Sequence, residues 1–281
     1  MRNGIVLFTS DRGITPAALA RAAEERGFDT IYVPEHTHIP VRRDALHPTG
    51  GEELPDDRYL RTLDPWVSLA TCAAVTTRIG LSTAVALPVE SDPITLAKTL
   101  ATLDHLSGGR LSIGAGFGWN TDELADHGVP AARRRTVLKE YLEAMRALWT
   151  EEEAAYDGEF VSFGPSWAYP KPPQGVIPVV IGAGGGPKTL AWIARHADGW
   201  MTTPVETDVA AKADALREEW AANGRAGEPQ IRVLVARRPS AEDFADWSAA
   251  KATELMWGVP DADEATVLAH LDKLAGRLGL A

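Results

Sequence analysis

Short apolar runs alternate with helix-forming segments along this chain, and that alternation limits its fold more than any other feature. Residues 5–8, 30–33, 79–87, 110–113, 179–181, 198–202, 231–236 and 254–257 read as eight strands. Several are apolar throughout, as expected of strands buried on both faces of a parallel sheet. Helix signals stand between them. Pro16 opens a segment with Leu19, Ala22 and Ala23 on one face and Gly27 as its stop. Asp64-Pro65 and Asp92-Pro93 each pair a capping carboxylate with a proline suited to the first turn. The second of these helices carries Leu96, Leu100 and Leu103 and breaks at Gly108-Gly109. Further helices are predicted over 133–149, 187–196, 206–223, 240–250 and 263–278.

Eight strand–helix pairs in 281 residues predict an α/β fold, a (β/α)8 TIM barrel forming one domain over residues 1–281. A doubly wound sheet is the rival. The 156–169 stretch departs from the plan: Asp157-Gly158 turns a small hairpin with 160–163 as one arm, an insertion between strands four and five. A long loop from Pro34 to Leu63, rich in proline, charge and histidine, follows the second strand.

Within this frame the segment from Pro178 to Ala191 carries the most specific chemistry. A buried strand runs into Gly182, Ala183, Gly184, Gly185 and Gly186, and Pro187 starts a helix with Leu190, Ile193, Ala194 and Ala197 on one face. Glycines let the backbone approach an anion, and the first helical amides lack internal partners. The unit is a phosphate cradle, with Lys188 as a secondary cation.

Two further strand ends hold candidate residues. The second strand leads into Glu35-His36-Thr37-His38, at the rim where barrel loops assemble active sites. His36 can exchange a proton near neutral pH, and Glu35 is a candidate to fix its tautomer. A solvated hydrogen-bond network accounts for these residues equally well, and a metal site lacks a third ligand at compelling spacing. The fourth strand leads into Gly114-Ala115-Gly116-Phe117-Gly118-Trp119-Asn120. Here Gly116 admits a flat ligand, Asn120 offers a donor and an acceptor, and Phe117 and Trp119 supply apolar walls, with Phe8 and His38 as further pocket candidates. The dinucleotide-binding fingerprint is incomplete, which disfavours a Rossmann reading.

A formal charge of -11, from 28 basic and 39 acidic residues, argues against broad nucleic-acid binding. No secretory-like N-terminus or membrane-length apolar run is present, so a cytoplasmic protein acting on a small molecule is expected. Cys72, the one cysteine, lies in an alanine-rich stretch and reads as inert packing. Arg133, Arg134 and Arg135 read as a solvated helix terminus, with one of them reaching an anionic tail as the alternative.

The chain resembles the bacterial-luciferase-like superfamily of flavin and deazaflavin oxidoreductases. The resemblance rests on Phe28-Asp29-Thr30-Ile31-Tyr32-Val33-Pro34-Glu35-His36, on Leu106-Ser107-Gly108-Gly109-Arg110-Leu111-Ser112-Ile113-Gly114, and on Gly116-Phe117-Gly118-Trp119-Asn120. It extends to Ile181-Gly182-Ala183-Gly184-Gly185 and Arg195-His196-Ala197-Asp198-Gly199-Trp200. The pattern is similar to the actinobacterial branch that uses coenzyme F420, with flavin mononucleotide (FMN) as the alternative cofactor. The resemblance implies a redox ring at the barrel mouth, its phosphate on Gly182–Gly185, and the Glu35/His36 pair beside the ring. It also implies a non-prolyl cis peptide at Ala84-Val85 forming a bulge behind the ring, and a homodimer. Sugar-phosphate dehydrogenases of the superfamily place a glutamate where this chain has Phe117, which argues against that alcohol oxidation. The resulting expectation is hydride transfer between the deazaflavin and a small organic substrate. An FMN-dependent monooxygenase and a non-catalytic flavin carrier are the other readings.

Overall fold

The computed structural model describes residues 1–47 and 54–280; the 48–53 part of the long loop expected from Pro34 to Leu63 lies outside them. Eight parallel strands form the barrel: β1 (Arg2–Val6), β2 (Thr30–Val33), β3 (Gly80–Thr83), β4 (Ile113–Ala115), β7 (Val179–Gly182), β8 (Gly199–Met201), β9 (Gln230–Val235) and β10 (Glu254–Gly258). Their order is β3-β2-β1-β10-β9-β8-β7-β4. The two outer strands meet through isolated parallel bridges, Leu81 to Leu111 and Ala86 to Ala115, so the barrel is nearly closed.

The helices are α1 (Pro16–Glu25), α2 (Pro65–Val75), α3 (Pro93–Ser107), α4 (Thr121–Asp126), α5 (Arg134–Thr150), α6 (Pro187–His196), α7 (Val209–Ala222), α8 (Ala241–Ala249) and α9 (Glu264–Leu278). The Asp-Pro starts act as their chemistry dictates: Asp64 accepts from the Val67 amide at 2.8 Å and Asp92 from Thr95 at 2.7 Å. Gly108 ends α3 in the left-handed region at φ 71°. The insertion is the antiparallel hairpin of β5 (Ala154–Asp157) and β6 (Ser162–Ser166). Its first arm lies before the Asp157-Gly158 turn, and the second begins two residues later than expected.

Boundaries shift where tertiary pairing overrides local pattern. β1 begins at Arg2 because it pairs with β10 from Glu254 onward, and Phe8 falls in the loop beyond it. The expected strand over 79–87 stops at Thr83, where its pairing with β2 ends at Val33, and the cis Ala84–Val85 peptide follows in a bulge. β4 lies later than expected, at Ile113–Ala115, where it pairs with β7. The short helix α4 escaped the periodic reading because six residues span less than two turns.

Two cores result. Between the strands and helices, side chains such as Leu19, Leu100, Leu142 and Ile193 pack around the barrel wall. Inside it, Val6, Tyr32, Val180, Met201 and Met256 stack, with Ala84 and Val85 packed against them. Val85 thus forms the floor of the C-terminal mouth. Cys72 is buried, and burial pushes its thiol up to about 12, which fits inert packing. Among the described residues no helix is long and apolar enough to cross a membrane.

Candidate functional site

The bulge after β3 joins the sequence-predicted residues on both sides of the mouth. Toward β2, the Val85 carbonyl accepts from the Glu35 amide at 3.0 Å, and the Leu87 amide donates to Glu35 Oε2 at 2.6 Å. Toward β4 and β7, Val85 presses so close that side chains could not fit. A Cβ at Gly116 would lie 2.7 Å from Val85 Cγ2, and one at Gly182 would lie 2.4 Å from Val85 Cγ1. Glycine at both positions is a packing requirement of the bulge.

His36 follows β2, and its side chain is 6% exposed. Its Nδ1 meets Glu123 Oε2 at 2.8 Å, on α4. This corrects the expectation for Glu35: the carboxylate orienting His36 is Glu123, while Glu35 points back to the Leu87 amide. Asn120 caps α4 and its Oδ1 faces the Glu123 amide, which places Glu123 beside His36. The signal was present in Asn120-Thr121-Asp122-Glu123, an Asn followed three residues later by Glu at a helix start.

The network continues outward. Glu123 Oε1 accepts from the Thr37 amide at 3.0 Å, and the Thr37 hydroxyl meets His127 Nε2 at 2.7 Å and His38 Nδ1 at 3.0 Å. His38 Nε2 reaches Asp126 Oδ2 at 2.9 Å on the exposed side of α4. His38 therefore faces away from the pocket in which it was expected. Three carboxyl groups, Glu35, Glu90 and Glu123, crowd this side of the mouth. Burial pushes Glu35 up to about 7, outweighing the Leu87 amide that favours its charged form, and Asp64 and Glu123 add repulsion. Glu90 is raised for the same reasons, burial first and then the charges of Glu123 and Glu35.

The aromatic residues divide. Trp119 lies edge-on to His36, with ring centroids 5.7 Å apart, and Phe8 packs on Tyr59 at 5.0 Å. Tyr59 in turn stands 5.5 Å from His36, so these rings line one wall. Phe117 leaves that group: it packs edge-on against Trp192 at 5.0 Å, beneath the Arg135 guanidinium. The pocket wall expected from Phe117 is supplied by Tyr59, with His47 in contact with both Tyr59 and Trp119.

Across the mouth, the turn from β7 to α6 is held by Trp200, whose Nε1 donates to the Ala183 carbonyl at 2.7 Å. The Gly184 and Gly186 amides find no acceptor among the described residues. The Gly185 amide donates to Glu206 Oε2 at 3.2 Å, and the Lys212 ammonium pairs with Glu206 Oε1. Lys188, the expected cation, is exposed on the first turn; Lys212 stands at the glycines instead. Arg135 is not merely solvated, since its Nη2 donates to Thr189 Oγ1 in the same first turn at 3.0 Å.

The site fits an anionic, flat cofactor on three counts. Two amides at a helix start are open to an anion, and glycines flatten the wall around Val85. Asn120, 1% exposed, keeps a buried Nδ2 donor with no partner among the described residues.

Comparison with known proteins agrees with this geometry. The chain is 63% identical over 279 residues, 99% of both chains, to an uncharacterised protein of Mycobacterium tuberculosis. It is 32% identical over 216 residues to the F420-dependent glucose-6-phosphate dehydrogenase of Kineococcus radiotolerans, covering 74% of this chain and 59% of that one. Its fold superposes with a TM-score of 0.75 on the coenzyme F420-dependent tetrahydromethanopterin reductase of Methanopyrus kandleri, at 16% identity and over 98% of this chain and 97% of that one. Residues 15–278 match the luciferase-like monooxygenase family model, and the chain belongs to this bacterial luciferase-like family.

Proposed function

We propose that the protein is a coenzyme F420-dependent oxidoreductase that passes a hydride between the deazaflavin and a small organic substrate. The observation that carries this reading is the shared bulge: Val85 contacts the glycine side of the mouth, and its carbonyl holds the Glu35-His36 side. A ligand with an anionic tail at Gly184 and Gly186 and a ring over Val85 would lie between them. Asn120 Nδ2 is a donor available to it. When bound, a deazaflavin supplies two-electron hydride chemistry.

The protein contributes position and a proton. With Nδ1 directed at Glu123, the His36 nitrogen left to accept or deliver a proton is Nε2, and Glu123 fixes the orientation of the ring. Trp119, Tyr59 and Phe8 exclude water from that side. The sugar-phosphate substrate of the dehydrogenase relative is not carried over. The position expected to hold a glutamate in such enzymes is Phe117, packed on Trp192.

Titration of the purified protein with F420 and with FMN tests the proposal, followed by exposure of each reduced complex to oxygen. Saturable F420 binding and slow decay of the reduced complex in air are expected. Binding of FMN alone, with oxygen-linked turnover, would establish the monooxygenase reading, and retention of cofactor without turnover would establish a carrier.

A further inference from the structure

The glycine turn is already partly neutralised by the chain itself. The Glu206 side chain is 9% exposed, and its carboxylate accepts from the Gly185 amide at 3.2 Å and from the Thr203 hydroxyl at 3.1 Å. Its other oxygen takes the Lys212 ammonium, which also donates to the Thr207 carbonyl at 2.7 Å. One amide of the turn and the nearest ammonium are thus committed to an internal carboxylate. A Cβ at Gly184 would lie 3.9 Å from Glu206 Oε2, so this charge borders the place where a tail would sit.

We propose that Glu206 selects the charge of the cofactor phosphate, admitting a monoanionic phosphodiester and opposing a dianionic phosphomonoester. This rests on the cofactor reading above. The turn offers a ligand the Gly184 and Gly186 amides and the end of α6, worth roughly half a positive charge. Half a positive charge is better balanced by one negative charge than by two. The phosphate of F420 is a phosphodiester, which carries one, and the carboxylates of its tail lie beyond that group. FMN ends in a phosphomonoester, whose second ionisation lies near pH ~6, so it carries nearly two charges at pH ~8. The second charge would need Lys212, and Glu206 holds it. Arg135 of α5, which reaches the first turn of α6, and Lys188 on that turn are the same in the wild type and in a Glu206 variant, so they do not alter the comparison between them.

The test compares dissociation constants for F420, FMN and riboflavin, which has no phosphate, in the wild type and in Glu206→Gln. Thermal unfolding confirms that both are folded. In Glu206→Gln, FMN is expected to bind about tenfold tighter or more, F420 to change less than about threefold, and riboflavin to stay unchanged. Adding Lys212→Gln should abolish the FMN gain, because the freed ammonium is its source. An unchanged FMN-to-F420 ratio would reduce Glu206 to a structural acceptor. Equal tightening of both phosphorylated cofactors would make it a general anion repellent; either result overturns the proposal. If neither protein binds F420, the cofactor reading itself fails and takes this proposal with it.

Discussion

On the β2–α4 side of the barrel mouth the working groups are side chains: an imidazole and two other histidines hydrogen-bonded with Glu123 and Glu90, and Glu35 crowded beside those carboxyls. On the β7–α6 side they are main-chain amides, those of Gly184 and Gly186, exposed where the chain carries no side chain. The first side can change its charge with pH. The second has a fixed polarity set by a helix end. A redox ligand needs both, a place to move a proton and an invariant place to anchor its tail, and the Ala84–Leu87 bulge holds them in register.

If the two sides are built from different materials, they should break differently. The largest effect is expected on the main-chain side. Gly182→Val places a Cβ 2.4 Å from Val85 Cγ1, and the bulge or β7 must move. We expect cofactor affinity to fall about 100-fold or more and stability by ~1–3 kcal/mol, read by titration and by denaturant unfolding. Normal binding by this variant would disconnect Val85 from the site.

His36→Ala attacks the other side, where chemistry and anchoring should separate. Turnover is expected to drop by about 100-fold or more while F420 affinity stays within about threefold. Loss of affinity with unaltered turnover would reverse the assignment of the two sides.

The titrating side should also leave a signature in stability. Glu35 has a folded-state pKa of about 7 against an ordinary value of 4.5, so the native protein holds a proton that the unfolded chain releases between those values. Its contribution is complete below pH 4.5 and lost as pH rises through 7, by as much as ~3 kcal/mol. Unfolding measured across this window should decline more steeply in the wild type than in Glu35→Gln; parallel curves would remove the buried proton from the account. The smallest effect is assigned to Lys188→Ala. Its exposed ammonium should change F420 affinity by less than about threefold, because exposed charges are screened.

The same contrast governs what could be read from the sequence. Main-chain features announce themselves: strand, glycines and Pro187 form a contiguous unit, and the eight-fold alternation is carried by local patterns. Side-chain networks are assembled from distant segments. His36 was visible at the end of its strand, but its partner Glu123 lies 87 positions away, on a helix too short to show periodicity. Glu90, Tyr59 and Glu206 gave no local signal at all, since each acquires meaning only from what the barrel brings beside it. Phe117 misled for a related reason. Adjacent glycines leave its direction open, and Trp192 and Arg135 draw it outward.

A crystal structure of the protein with F420 bound tests the central claim most directly. The account expects tail oxygens within about 3.2 Å of the Gly184 and Gly186 amide nitrogens, with the ring against Val85 and facing His36. A tail bound elsewhere, with those amides turned to water or protein, would contradict it.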